Sequence, residues 1–409
     1  MIYDKWQTKR MREKWCNLVS HIADEPLDTK VAPRKVTIYL SAPPGDGLRY
    51  AREHFHEYVK PVLVSAAMDW DVVEGRKEGD VRHKTSERIR KRRKRNGEGT
   101  PLAEDEEEEY TVDSIRAKNG DLDFPGVAGD IVIGRNTWKE YIRGIHEGYL
   151  GPADQPESLK EGSDGERQEP TKHVPGQPSV GDAAVNAATK IASQDKDSSP
   201  VESLESTVSG ASDASDGQSP QSKDQADEPP EAEKKKEEEE KPKRRFPPSY
   251  ILPEQYETAS LSPSTPEIIG PSVGVRMPHL LGFRNTPIRI YRFLNRRSLQ
   301  DDVGRQVAAA VLASHRPYGI VAASSDDSGS GGHATLPEQA EVLALEERDW
   351  WPKVINRKRE EHEESMWTEP MVLDERISSR MRAFQLTSED EERAKRIKAG
   401  TDSRRPDNS

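Results

Sequence analysis

The sequence predicts an α/β fold: a mostly parallel sheet with flanking helices, built as one domain interrupted by a long acidic disordered insert. Three observations predict it. Residues 35–80 read as strand, glycine turn, amphipathic helix and strand. A second strand–helix unit begins at Asp130-Ile-Val-Ile133. Between Ala153 and Arg245 the chain loses every Phe, Tyr and Trp, and order returns at Phe246-Pro-Pro-Ser-Tyr250.

In the first unit, Lys35-Val-Thr-Ile-Tyr-Leu40 is β-branched and aromatic, as a buried strand requires. Ser41-Ala-Pro-Pro-Gly-Asp-Gly47 breaks it with dense turn chemistry. From Leu48, the apolar residues Ala51, Phe55, Tyr58, Val59, Val62, Leu63 and Ala66 recur in steps of three and four, so they share one helical face. Pro61 interrupts that pattern and predicts a kink or a restarted helix carrying Pro61 in its first turn. Trp70-Asp-Val-Val-Glu74 is the second strand. Strand, helix, strand in this order is a right-handed crossover in a parallel sheet.

In the second unit, Asn136 is placed to N-cap a helix over residues 137–149, with Trp138, Tyr141, Ile142 and Ile145 facing inward. Beyond the insert, Pro287-Ile-Arg-Ile-Tyr-Arg-Phe-Leu294 alternates apolar and basic residues and predicts a strand with one wet face. Val303, Val307, Ala310, Val311 and Ser314 line a following helix. A kinked helix is expected over residues 336–359, and a docking helix within 371–386. The organisation that follows is a basic-aromatic membrane-flanking helix (1–24), the first half of the domain (25–152), the insert (153–245), the second half with C-terminal helices (246–386) and a flexible tail (387–409).

Composition limits the functional classes. Of 409 residues, 33% are charged and 32% hydrophobic, too polar for one continuous globular chain. The net charge of -12 argues against nucleic acid as the main partner, and the insert holds most of that charge. Cys16 is the single cysteine, which excludes an internal disulfide and a cysteine-rich metal site. No apolar run in the chain reaches the roughly 18–20 residues that span a bilayer.

Two basic stretches are candidate lipid- or partner-binding sites. In the first helix Trp6, Lys9, Arg10, Arg12 and Trp15 mix rings with cations, as chains do beside a bilayer. The competing reading docks this helix on the domain through its tryptophans. Arg88-Ile-Arg-Lys-Arg-Arg-Lys-Arg95 places Arg90, Arg92, Arg93 and Arg95 in a run that fits anionic lipid or an acidic partner, or else a solvated helix end. It lacks the aromatic interleaving that single-stranded nucleic acid uses.

The glycine turn after the first strand lies where α/β folds hold phosphate. Gly45-Asp-Gly47 lacks the third glycine of the dinucleotide fingerprint, because Tyr50 stands there. Asp46 reads instead as a helix N-cap, whose carboxylate occupies the phosphate position. His54 and His56 lie two apart on a helix and face different ways, which disfavours a shared metal. No catalytic residue, cofactor or metal ligand is therefore assigned. The alternative kept open is a phosphate-, nucleotide- or lipid-handling α/β enzyme, or a peripheral module that binds anionic lipid.

Residues 35–49, 51–61, 70–76 and 129–138, the last reading Gly129-Asp-Ile-Val-Ile-Gly-Arg-Asn-Thr-Trp138, resemble the fungal Tim fifty-four family. The resemblance implies a subunit of the mitochondrial inner-membrane translocase that inserts carrier proteins, with most of its mass in the intermembrane space. It implies as partners the channel-forming translocase subunit, the small Tim chaperones, the inner-membrane AAA protease whose assembly the family assists, and the inner membrane with its cardiolipin. The family's single membrane span lies just ahead of the segment resembling residues 3–16, where this chain has Met1-Ile2. Either the span lies upstream of this chain, or attachment rests on the basic-aromatic helix and on partners. Lipid kinases of related fold need a Gly-Gly-Asp-Gly loop, whereas Gly331-Gly332 is followed here by His333.

Overall fold

The computed structural model describes residues 2–26, 30–101, 126–156, 247–322, 335–350 and 365–402, with 115, 119, 120 and 124. The acidic insert from residue 157 on, the Glu104–Glu109 run and Trp351 lie outside the described residues.

Strands β1 (Lys35–Ser41), β2 (Asp69–Gly75), β3 (Asp130–Ile133) and β4 (Ser272–Val275) are joined by β8 (Arg382–Phe384) and β5 (His315–Pro317) in one sheet of order β2-β1-β3-β4-β8-β5. All neighbours pair parallel except the edge pair β5/β8, which is antiparallel. Strands from both sides of the insert thus lie side by side, with Ile131 opposite Val273. A separate hairpin joins β6 (Ile320–Ala322) to β7 (Thr335–Pro337).

Both faces of the sheet are buried, and the two-residue period of the strands divides them. Val36, Ile38, Leu40, Ile131 and Ile133 enter one core; Tyr39 and Val132 enter the other. The first core is covered by α1 (Ile2–Val19), by the helix after β1, and by α7 (Arg296–Leu312). The helix after β1 runs as α2 (Leu48–His54), one π-helical turn over Phe55–Val59 and α3 (Lys60–Ser65), with Pro61 in the first turn of α3. The restart expected at Pro61 is therefore present, and the extra residue of the π turn accommodates it. The second core is covered by α5 (Arg135–Leu150), against which α4 (Asp80–Arg95) packs at close range. Gly144 and Gly148 allow this approach, since a Cβ at either would lie 2.7 Å from Thr85 Cβ or 2.8 Å from Ile89 Cβ.

Four expectations are corrected. Residues 286–294 form helix α6 (Thr286–Leu294), with a proline in its first turn, and not a strand. The same apolar-basic spacing fits either period over so short a run, and a first-turn proline favours the helix. In place of one helix from 336 there are β7, α8 (Glu338–Glu341) and α9 (Ala344–Asp349). The docking helix expected within 371–386 is a short α10 (Glu375–Ser378) followed by sheet strand β8. The tail is not free throughout: α11 (Ser388–Lys398) is N-capped by Thr387, which accepts from Asp390 N at 3.2 Å, and it buries Ala394 and Ile397.

Candidate functional site

The basic run does not make a lipid-facing patch of all four arginines. Arg90 and Arg93 are buried. Arg90 Nη2 donates to Glu147 Oε1 at 2.7 Å, and Arg82 Nη1 donates to the other carboxylate oxygen. Arg93 Nη1 donates to the carbonyls of Gly148 (2.6 Å) and Gly151 (2.8 Å), and Arg93 Nε to Glu98 (2.9 Å). These side chains lock α4 onto α5. Arg92 and Arg95 remain at the surface.

The first helix divides in the same way. Trp15 is fully buried, lies over Gly304 of α7 and donates from Nε1 to Asp301 at 2.9 Å. It is a core residue and cannot touch a membrane, so for this half of the helix the docking reading is correct. Arg12 is half-buried, whereas Trp6, Lys9 and Arg10 are exposed, with the Arg10 guanidinium 5.7 Å from the Trp6 ring. Tyr3 lies under Arg297, 5.6 Å from its guanidinium carbon. The start of α1 therefore adjoins the junction of α6 and α7.

The strand order reverses between β1 and β3, so their C-terminal ends flank the crevice where open α/β sheets hold ligands. Gly134, at φ +92°, turns β3 sharply into α5, whose N-terminus faces this crevice. The two N-caps expected here are corrected. Gly47 and Gly134 occupy the cap positions, with no side-chain bond. Asp46 is drawn across to His279 Nε2 (2.7 Å), and Asn136 lies inside the first turn, accepting from Arg135 Nη1 at 2.6 Å.

The carboxylate in the anion position comes from a distant part of the chain. Glu346 of α9 accepts from Arg135 N (2.9 Å) and from Met277 N, at the ends of β3 and β4. Glu347 takes the Arg135 guanidinium, which also stacks 3.6 Å from the centre of the Trp350 ring. Ser41 and Thr137 bond to each other across the crevice at 2.8 Å. What remains is a cavity of about 70 Å³. Pockets for small-molecule ligands run to roughly 300–1,000 Å³. The crevice is thus filled by the chain's own α9.

Burial pushes the Glu346 carboxyl up to about 7, against the pull of the Met277 and Arg135 amides. Burial likewise pushes Glu140 up to about 7, although it accepts from Val81 N (3.0 Å) and Trp367 Nε1 (2.6 Å). Both folded pKa values lie above the unfolded value, so the stability these groups contribute is full below about pH 4.5 and is lost as pH rises through about 7. His54, which burial lowers to about 4, acts in the opposite sense as pH falls through 6.5. The difference between wild-type and variant curves isolates the carboxyl. Urea unfolding from pH 5.5 to 8 should show wild type losing about 2 kcal/mol relative to Glu346→Gln. Parallel curves would refute the buried ionisation.

A family model described as "Inner membrane protein import complex subunit Tim54" matches residues 1–384. The chain belongs to the Tim54 family. It is similar to the mitochondrial import inner membrane translocase subunits tim54 of Aspergillus oryzae (44% identical, over 98% of this chain and 84% of the relative) and Aspergillus fumigatus (42%, over 98% and 86%). The corresponding Neurospora crassa protein is 42% identical over 97% of this chain and 76% of its own length. This Tim54-family chain is thereby placed at the mitochondrial inner membrane, as a subunit of the protein import machinery. Among the described residues no helix is long and apolar enough to cross a membrane.

Sequence reasoning had no means of finding Glu346, which lies 211 residues from Arg135. In the sequence, Leu345-Glu-Glu-Arg-Asp349 reads as part of a helix, and nothing local singles out Glu346. The glycine turn after β1 holds no capping carboxylate, because Asp46 bonds His279; the carboxylate in the crevice is Glu346, at the start of α5 and the end of β4.

Proposed function

We propose that this chain is a non-catalytic scaffold and assembly subunit of the translocase that inserts multi-span carrier proteins. Its α/β domain faces the intermembrane space, contacts the channel-forming subunit and the small Tim chaperones, and assists assembly of the inner-membrane AAA protease. The observation that carries the non-catalytic reading is Glu346. Its carboxylate fills the switch-point crevice and takes the two main-chain amides that a phosphate would need. Family membership supports the translocase assignment.

Two measurements test this. In mitochondria depleted of the resident subunit, the full chain should restore insertion of a multi-span carrier precursor and cross-link to the channel subunit. Rescue without that cross-link, or no rescue, rejects the scaffold role. Titrating Mg-ATP into the purified chain should leave its melting temperature flat, whereas a saturable rise would restore the phosphate-handling alternative.

A further inference from the structure

Helix α6 has the geometry of a membrane-surface anchor and not of a core helix. None of its nine residues is buried. At about 100° per residue, Phe293, Ile290, Leu294 and Tyr291 share one arc, with Arg289 at its edge beside Phe293 and Arg292 opposite. Tyr291 is 68% exposed and Ile290 54%, and Phe283, in the turn before the helix, is 92% exposed. A soluble surface rarely leaves so contiguous an apolar group open unless something covers it. Its tie to the domain includes the Arg292–Asp349 ion pair and the Arg296–Glu57 pair (3.2 Å) just after its end. These pairs hold the Arg292 side toward the domain and leave the apolar arc outward.

We infer that α6, together with the exposed start of α1, docks on the surface of an anionic bilayer. The inference rests on the inner-membrane placement and is independent of the scaffold reading. Charge selects the occupant. Arg284 and Arg289 make no ion pair among the described residues, and Lys5 and Arg10 stand exposed on the neighbouring α1, whereas Lys9 pairs with Glu13 at 3.7 Å. The nearby acids Asp4 and Glu57 are already engaged by Arg297 and Arg296. An apolar arc flanked by unneutralised cations fits lipid phosphates around an acyl boundary. Ile2, Tyr3 and Trp6 extend the apolar and aromatic surface from α1, and Arg297 over Tyr3 ties the two elements together. The two aromatic residues suit the headgroup level. Cardiolipin, an anionic lipid carrying two phosphates, supplies the negative surface charge these cations require.

The test is flotation of the full chain with phosphatidylcholine vesicles, with and without cardiolipin. Wild type should float with the cardiolipin vesicles. Ile290→Asp with Leu294→Asp should reduce binding by about tenfold or more, since each places a charge in the apolar arc. Arg284→Glu with Arg289→Glu should remove the cardiolipin preference. These positions are exposed, so thermal melts should match wild type. A fluorophore sensitive to polarity, attached at Tyr291→Cys in a Cys16→Ser background, should shift to the blue on the same vesicles. Absence of flotation, unchanged flotation of the Asp variant or absence of the shift would overturn the inference. So would a shift seen only when translocase partners are present, which would assign the face to a protein.

Discussion

Glu147→Ala should cost about 3–5 kcal/mol, the loss expected when one partner of a buried charge network is removed. Glu147 is fully buried on α5 and binds two other parts of the chain. Arg82 and Arg90 of α4 donate to it, as do Ser249 Oγ (3.1 Å) and Tyr250 N (3.0 Å), from the segment where the chain resumes after the insert. Without the carboxylate, two buried guanidiniums keep their desolvation cost and lose their counter-charge. Glu147→Gln should also destabilise, because its NH₂ group would face donors on every side. Burial raises this carboxyl's pKa, and Arg82 and Arg90 outweigh burial, so it titrates below the ordinary range. The stability it contributes is present above about pH 4.5 and is lost as pH falls through the depressed value. Urea unfolding at pH 7 should therefore separate variant from wild type widely, and the gap should narrow at pH 3. A loss under about 1 kcal/mol at pH 7, the scale of a surface substitution, would mean that the network does not hold α4 to α5.

The parts of this fold that were legible in the sequence are those whose signals are local. β1, the helix restarted at Pro61 and β2 each follow from a run of neighbours: β-branched residues, a proline at the register break, glycines at the turns. The same holds for β3 and α5. Contacts that close over long separations were not legible. Arg90 and Arg93 look identical to Arg92 and Arg95 in the run, and only Glu147 and the α5 carbonyls, more than fifty residues away, distinguish them. Residues 287–294 mislead for a different reason: eight residues of mixed apolar and basic character satisfy both periods, and none of them is buried by the described residues to decide. The same exposure that defeats the sequence reading makes α6 a candidate interface. The cap of α11 was readable, since Thr387-Ser-Glu-Asp390 is a capping-box pattern. The high charge after it obscured the helix.

Trp15→Ala should be the other severe substitution, at about 3–5 kcal/mol for an aromatic side chain removed from a core. The indole lies where α1 crosses α7. A Cβ on Gly304 would come within 2.3 Å of Trp15 Cδ1, so the two helices approach closely only because that residue is glycine. The indole N–H donates to Asp301, and the Lys14 ammonium sits 4.0 Å from the ring centre. Trp15→Phe would keep much of the volume and lose the hydrogen bond, so it should cost less. Gly304→Val attacks the same contact from the other helix. If the indole seat is what binds α1, its effect should couple strongly with Trp15→Ala in a double-mutant cycle. Trp6, nine residues earlier, is the control: it is exposed, and Trp6→Ala should leave unfolding within about 0.5 kcal/mol of wild type while weakening vesicle flotation. One helix thus divides its two tryptophans, with Trp15 seated in the fold and Trp6 left exposed for the proposed membrane surface. Equal stability losses for the two substitutions would show that α1 is not seated through Trp15, and the division of the helix into a docked half and an exposed half would fail with it.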